Sequence, residues 1–204
     1  MKTPSASTAI GWSLCVYCGS RFGDDPAYRE SAEHTGRLLA QSGGGLVYGG
    51  GRVGLMGVVA DAALAHGAPV VGVIPDALMR REVGHAGVKE LYVVQTMHER
   101  KMLMADRSDA FLTLPGGIGT MEEVFEMWSW QQLGYHAKPV GLLNVAGYYN
   151  ALIRFVQDGY ERGFISPEQH AALIVDDDLP RLMKTLKEQA LAARVATPSA
   201  DGRT

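Results

Sequence analysis

Two hydrophobic periods alternate along the chain. Short, almost unbroken apolar runs, such as residues 13–17 (SLCVY), 69–74 (PVVGVI), 110–114 (AFLTL) and 139–144 (PVGLLN), are separated by longer stretches whose apolar positions recur at helical spacing. In order, the pattern predicts a strand at 13–17 and a helix at 26–42. That helix is opened by Asp24-Asp25-Pro26, an N-cap followed by an N1 proline, and ended by Gly43-Gly44-Gly45. A strand at 46–48, a helix at 54–66 and strands at 69–74 and 90–95 follow, then a helix at 97–107, a strand at 110–114 and a helix at 120–133. The remainder reads as strand 139–144, helix 148–162, strand 173–175 and helix 179–193.

Strands alternating with helices at this spacing predict an α/β, Rossmann-like doubly wound fold: a mostly parallel sheet of about seven strands with helices on both faces. Residues 13–193 form one domain on this reading, and 1–12 and 194–204 are flexible tails. In such sheets ligands bind beyond the carboxyl ends of the strands, where the strand order reverses. If the order is 3-2-1-4-5, that point lies between the first and fourth strands, whose ends carry Gly19-Ser20-Arg21 and the segment from Met97 to Lys101.

Composition narrows the function classes. A net charge of −3 offers no basic field for nucleic acid or an anionic membrane, so anion binding has to be local. Residues 1–12 lack an apolar signal core and no apolar run of about 18 residues follows, which predicts a cytoplasmic protein. Cys15 and Cys18 form a C-x-x-C, but they fall on a strand and its end, where residues three apart point to opposite faces; a structural role is expected. The histidines show no metal-ligand spacing, and no metal or cofactor is predicted.

The densest chemistry lies in residues 112–133, LTLPGGIGTMEEVFEMWSWQQL. A buried strand stops at Pro115-Gly116-Gly117. Glycines let the backbone turn sharply and let a ligand approach its N–H groups, and the helix opened at Thr120 directs free N–H groups and a positive dipole end at an anion, which we read as phosphate. On that helix Met121, Val124, Phe125 and Trp128 form one apolar stripe. Glu123 lies nearly opposite it, with Thr120, Met127 and Trp130, whereas Glu122 falls nearer Glu126 and Ser129. A carboxylate among apolar side chains is costly without a partner or a function, which singles out Glu123. Apolar residues on more than one face of this helix also predict a homodimer.

Upstream, Met97, Arg100, Leu103, Met104 and Arg107 share a helical stripe while Lys101 and Glu99 point elsewhere. A second glycine turn, Gly49-x-Gly51-x-x-Gly54, fits the dinucleotide fingerprint and has Asp76 at the end of the next strand, which keeps NAD binding as an alternative.

Pro115-Gly116-Gly117-Ile118-Gly119-Thr120-Met121-Glu122-Glu123 resembles the PGGxGTxxE signature of the Lonely Guy (LOG) family, the cytokinin-activating phosphoribohydrolases, whose members were long labelled lysine decarboxylases. Met97-His98-Glu99-Arg100-Lys101 resembles the family's second motif at the expected separation, and Tyr48-Gly49-Gly50-Gly51 and Cys18-Gly19-Ser20 look like its other glycine turns. The resemblance implies hydrolysis of the N-glycosidic bond of a purine ribonucleoside 5′-monophosphate, AMP or N6-isopentenyl-AMP, to free base and ribose 5-phosphate. It implies Arg100 and Glu123 as catalytic residues. Substrate contacts would come from Ser20, Glu82, Arg100, Lys101, Gly116, Gly117, Ile118, Gly119, Thr120, Met121, Glu122 and Ser129. The alternatives are a nucleotide-binding regulator without catalysis and a pyridoxal-phosphate decarboxylase. The latter is disfavoured because the chain is short and no lysine has a suitable context.

Overall fold

A computed structural model describes residues 11–79 and 83–196. Its strands form one seven-stranded sheet in the order β4-β3-β2-β1-β5-β6-β7, and every neighbouring pair is parallel. The strands are β1 (Trp12–Tyr17), β2 (Gly44–Tyr48), β3 (Val70–Pro75), β4 (Glu90–Val94), β5 (Ala110–Thr113), β6 (Val140–Leu143) and β7 (Leu173–Asp176). Helices cover both faces, as a sheet of buried parallel strands requires. α1 (Pro26–Gln41), α2 (Gly54–Ala65) and α8 (Leu179–Ala196) pack with Leu14, Val16, Leu46, Tyr48 and Leu112 on one face. On the other, α4 (Met97–Asp106), α5 (Ile118–Gln132) and α6 (Asn150–Glu161) pack with Cys15, Tyr17, Val47, Phe111 and Val140. The Rossmann-like, doubly wound reading therefore holds.

The strand order differs from the one expected. β1 lies between β2 and β5, not beside β4. Burial agrees with that order: β5 is uncharged and buried throughout at the centre, whereas β4 opens on the charged Glu90 and leaves Glu90 and Val93 exposed, as an edge strand can. The reversal of strand order thus falls between β1 and β5. The loops meeting there are Cys18-Gly19-Ser20 and Pro115-Gly116-Gly117, and the Gly19 N–H donates to Pro115 O at 3.0 Å.

Boundaries also moved. α5 begins at Ile118, two positions before Thr120, with Gly117 as an N-cap that has no side chain to close it. α8 continues past Ala193 to Ala196, because Arg194 forms an ion pair with Asp109 and donates to Gly11 O at 2.9 Å. Asp109 also accepts from the Ser13 N–H at 2.6 Å, so one carboxylate ties the start of β1 to the last helix. The short helices α3 (Asp76–Met79) and α7 (Pro167–Ala172) were not anticipated, being too brief to show a period. The remaining residues of the expected tails, 1–10 and 197–204, lie outside the described residues, as does Glu82.

Candidate active site

At the β1/β5 switch point lies a cleft of about 750 Å³. Its floor is the loop Cys18 to Asp24 after β1 and the turn Pro115 to Thr120 after β5, and its walls bring in Met97 and Arg100 of α4, Glu122 and Glu123 of α5, and Leu55, Met56, Tyr28, Leu78 and Tyr148. Of the residues singled out from sequence, Ser20, Arg100, Gly116, Gly117, Ile118, Gly119, Thr120, Glu122 and Glu123 therefore line one cavity. Lys101, Met121 and Ser129 do not. Met121 packs against the apolar core beneath α5, and Ser129 is exposed further along that helix.

The turn after β5 is open on its amide side. Among the described residues, no acceptor within the chain takes the N–H of Gly117, Ile118, Gly119 or Thr120; the first amide of this run with a partner is that of Met121, donating to Gly117 O at 3.1 Å. Its glycines divide by purpose. A Cβ on Gly116 would stand 2.2 Å from Thr120 Oγ1 and 2.9 Å from Gly19 N, so Gly116 is required by the protein's own packing. A Cβ on Gly117 or Gly119 would meet nothing within 4 Å, so the protein's own packing gives no reason for those glycines.

Arg100 is only 4% exposed. Its Nε donates to Val73 O at 3.1 Å and its Nη2 to Gly49 O at 2.8 Å, which fixes the guanidinium against the ends of β3 and β2. This explains the second glycine turn. A Cβ on Gly49 would lie 2.3 Å from Arg100 Nη2, and a Cβ on Gly54 2.3 Å from the Arg21 N, so these glycines seat Arg100 and the loop after β1. The turn is further covered by the segment after α3, through Arg52 N–H to Val83 O at 2.9 Å and His85 N–H to Gly50 O at 3.0 Å. Gly49, Gly50 and Gly51 are buried and absent from the cleft lining, so the dinucleotide fingerprint presents no open face to a pyrophosphate.

Glu122 and Glu123 are adjacent in sequence and differently employed. Lys101, 5% exposed, places its ammonium between Glu122 and Glu126, the latter at 2.9 Å. Burial alone would lower the Lys101 pKa, but hydrogen bonds and charge from the two glutamates outweigh it and hold the pKa above its ordinary value. Glu123 sits over the end of β1, where its negative charge adds to burial in raising the pKa values of Cys15, Tyr17 and Cys18. Cys15 is pushed up to about 12, mainly by burial, and Cys18 is raised too. Both are free, buried thiols packed on opposite faces of the sheet, so neither is a thiolate at neutral pH. The described residues contain no group of three or more His, Cys, Asp or Glu side chains that could hold a metal ion.

Sequence reading missed the aromatic wall: Phe22, Tyr28 and Tyr148. The available signal was positional, since Tyr148 follows β6, the neighbour of β5, and the loops beyond the strand ends line such sites.

A family model described as "Possible lysine decarboxylase" matches residues 56–186. The chain is 47% identical over 175 residues to the cytokinin riboside 5′-monophosphate phosphoribohydrolase LOG7 of Arabidopsis thaliana, covering 86% of this chain and 81% of that one. It belongs to the LOG family. The probable LOGL9 enzyme of Oryza sativa subsp. japonica is 50% identical over 175 residues, covering 86% of this chain and 77% of its own. Among solved structures, the molybdenum cofactor carrier protein of Chlamydomonas reinhardtii superposes with a TM-score of 0.66 at 20% identity, covering 88% of this chain and 98% of that one. That similarity speaks for the fold alone.

The charge state of Lys101 gives a test of the ion triad in this LOG protein. Because its folded pKa is raised, the stabilisation it brings is fully present below the unfolded lysine value of about 10.4 and fades as pH rises through the higher folded value. In urea unfolding, the stability lost in Lys101→Met should therefore be constant between about pH 7 and 9 and shrink only in strong alkali. A deficit that disappears by pH 8 would mean that the ion triad contributes nothing.

Proposed function

We propose that the protein hydrolyses the N-glycosidic bond of adenosine 5′-monophosphates, with N6-substituted cytokinin nucleotides as the preferred class, to give the free base and ribose 5-phosphate. The observation that carries this reading is the meeting of an amide-open turn, a carboxylate and a buried arginine in one cleft. Family membership supports the same chemistry, and the relatives' names specify cytokinin riboside 5′-monophosphates.

The turn from Gly116 to Thr120 holds the 5′-phosphate through backbone N–H groups at the start of α5. As the bond to the base breaks, positive charge builds on the ribose ring. Glu123 faces that charge, orients the ribose hydroxyls and directs water to the anomeric carbon, which gains the hydroxyl while the base takes the proton. Arg100, permanently protonated and fixed by the carbonyls of Val73 and Gly49, serves as a hydrogen-bond donor and positive charge for substrate and departing base, not as a proton shuttle. Ser20, Ile118 and Glu122 complete the substrate contacts within the cleft. Glu82, Lys101, Met121 and Ser129 remain proposed contacts on the strength of the family motifs. The decarboxylase label fits poorly with Lys101 as an imine-forming lysine, because its two glutamate partners keep it protonated.

Base release from N6-isopentenyl-AMP, AMP, GMP, CMP and adenosine tests the proposal directly. The adenine nucleotides should release base, and adenosine should be slower by roughly 10²-fold or more in kcat/KM, because binding energy gathered at the phosphate orients the ribose. Comparable turnover of AMP and adenosine would remove the phosphate site from the reading. Glu123→Gln keeps shape but removes charge, and should lower kcat by roughly 10²–10⁴-fold with AMP binding and thermal stability little changed. Glu126→Gln, on the same helix but outside the cleft, should keep most of its turnover; equal losses in the two variants would misplace the chemistry.

We also propose a homodimer and a cytoplasmic location. For the dimer, the apolar excess on α5 is a weaker support than its sequence suggests, since Val124, Met127 and Trp128 are buried and Phe125 and Trp130 partly covered within one chain. The better support is the set of large apolar side chains left in solvent, Leu133, Tyr135, Phe155 and Phe164. Light scattering at micromolar concentration should give about twice the chain mass of 22.0 kDa, and a monomer mass would refute the assembly. For the location, the two free buried thiols suit a reducing compartment. Among the described residues, no helix is long and apolar enough to cross a membrane.

A further inference from the structure

The carbonyls of the turn after β5 are as fully occupied as its amides are open. Leu114 O accepts from Tyr149 Oη at 2.7 Å and Pro115 O from the Gly19 N–H at 3.0 Å. Gly116 O accepts from Tyr148 Oη at 2.6 Å and Gly117 O from the Met121 N–H at 3.1 Å. Four successive acceptors are thus held by the protein, and the following amides are left for a ligand. A carbonyl free to swing toward that ligand would repel an anion, and because the peptide is a rigid trans plane, fixing the Gly116 carbonyl also fixes the direction of the Gly117 N–H.

Only one of these four locks comes from a side chain in the cleft wall. Tyr148 is half-exposed and lines the cavity, whereas Tyr149 is buried. Tyr148 is presented by a strained junction. Ala146 has φ 48° and ψ 27°, a left-handed conformation unfavourable for a residue with a Cβ, and it persists because the surroundings hold it. The Asn144 side chain does so by accepting from the Tyr149 N–H at 2.8 Å and donating to Asn150 Oδ1 at 2.8 Å. The Tyr148 ring is then braced edge-on by Tyr28 at 5.4 Å and by Tyr149 at 4.8 Å.

We propose that Tyr148 is a positioning residue for the phosphate: its hydroxyl occupies the Gly116 carbonyl and so holds the Gly116–Gly117 peptide with its amide, not its oxygen, available to the anion. This rests on the reading of the turn as the 5′-phosphate site. Its action is on binding of the phosphate and on nothing in the ribose or base.

Tyr148→Phe keeps the ring and both aromatic contacts and removes only the hydroxyl. The expected result is a KM for AMP raised roughly three- to tenfold, the size of one lost hydrogen bond, with kcat within about twofold and kcat/KM for adenosine unchanged. Competitive inhibition by inorganic phosphate should weaken by the same factor. Tyr149→Phe removes a hydroxyl from a neighbouring carbonyl outside the cleft, and should lower thermal stability while keeping the wild-type preference for AMP over adenosine. An unchanged KM and phosphate inhibition in Tyr148→Phe would overturn the proposal. So would equal losses on AMP and adenosine, or a Tyr149→Phe variant that loses the preference to the same degree. If the unmodified protein shows no preference for AMP, the phosphate reading itself fails, an outcome distinguishable because it needs no variant.

Discussion

The contact on which the site depends is the pairing of β1 with β5. Parallel strands place their carboxyl ends side by side, and continuing this ladder by one bond, from the Gly19 N–H to Pro115 O at 3.0 Å, brings two glycine loops into direct contact. The fit has no slack. A side chain on Gly116 would strike Thr120 and Gly19, and one on Gly19 would lie 3.0 Å from Arg21 O. Two buried strands, each with helices on both faces, leave the loops no freedom to separate, so the amides at the start of α5 are positioned by the core and not by the ligand.

Three glycine turns that look alike in sequence have different physical duties. The one after β2 is filled by the protein itself, since Gly49 gives room to the Arg100 guanidinium and Gly54 to the backbone of Ser20 and Arg21. The one after β1 forms the floor. The turn after β5 differs in that Gly117 and Gly119 have open space above them. The consensus spacing G-x-G-x-x-G describes which residues can turn tightly; what the turn touches is decided by the strand's neighbours.

Much of this was legible in the sequence. The alternation of short apolar runs with helical stretches gave the layered sheet, the stripe containing Arg100 gave a buried arginine, and residues 115–123 gave a glycine turn and a carboxylate that line the same cleft. Strand order was not legible, because periodicity reports how a strand is covered and not which strand lies beside it; the charged Glu90 at the start of β4 was the one sign that it is an edge. Lys101 was read as pointing away from the Arg100 stripe, which is correct, but its destination between Glu122 and Glu126 depends on the packing of α4 beside α5, a contact no local pattern encodes. Tyr148 was invisible for the same reason: its meaning lies in a hydrogen bond across 32 positions of sequence.

The two adjacent glutamates are differently placed within one helix turn. An acid near a helix start gains from the dipole whichever way it points, so the dipole cannot distinguish Glu122 from Glu123. Their surroundings do. Glu122 shares a buried ammonium with Glu126, and this ion pairing ties α5 to α4. Glu123 stands over the end of β1 among groups that burial and its own charge keep protonated, Cys15, Tyr17 and Cys18. Glu123 lines the cleft beside the turn after β5, and in the proposed reaction it is the carboxylate set against the positive charge that develops on the ribose.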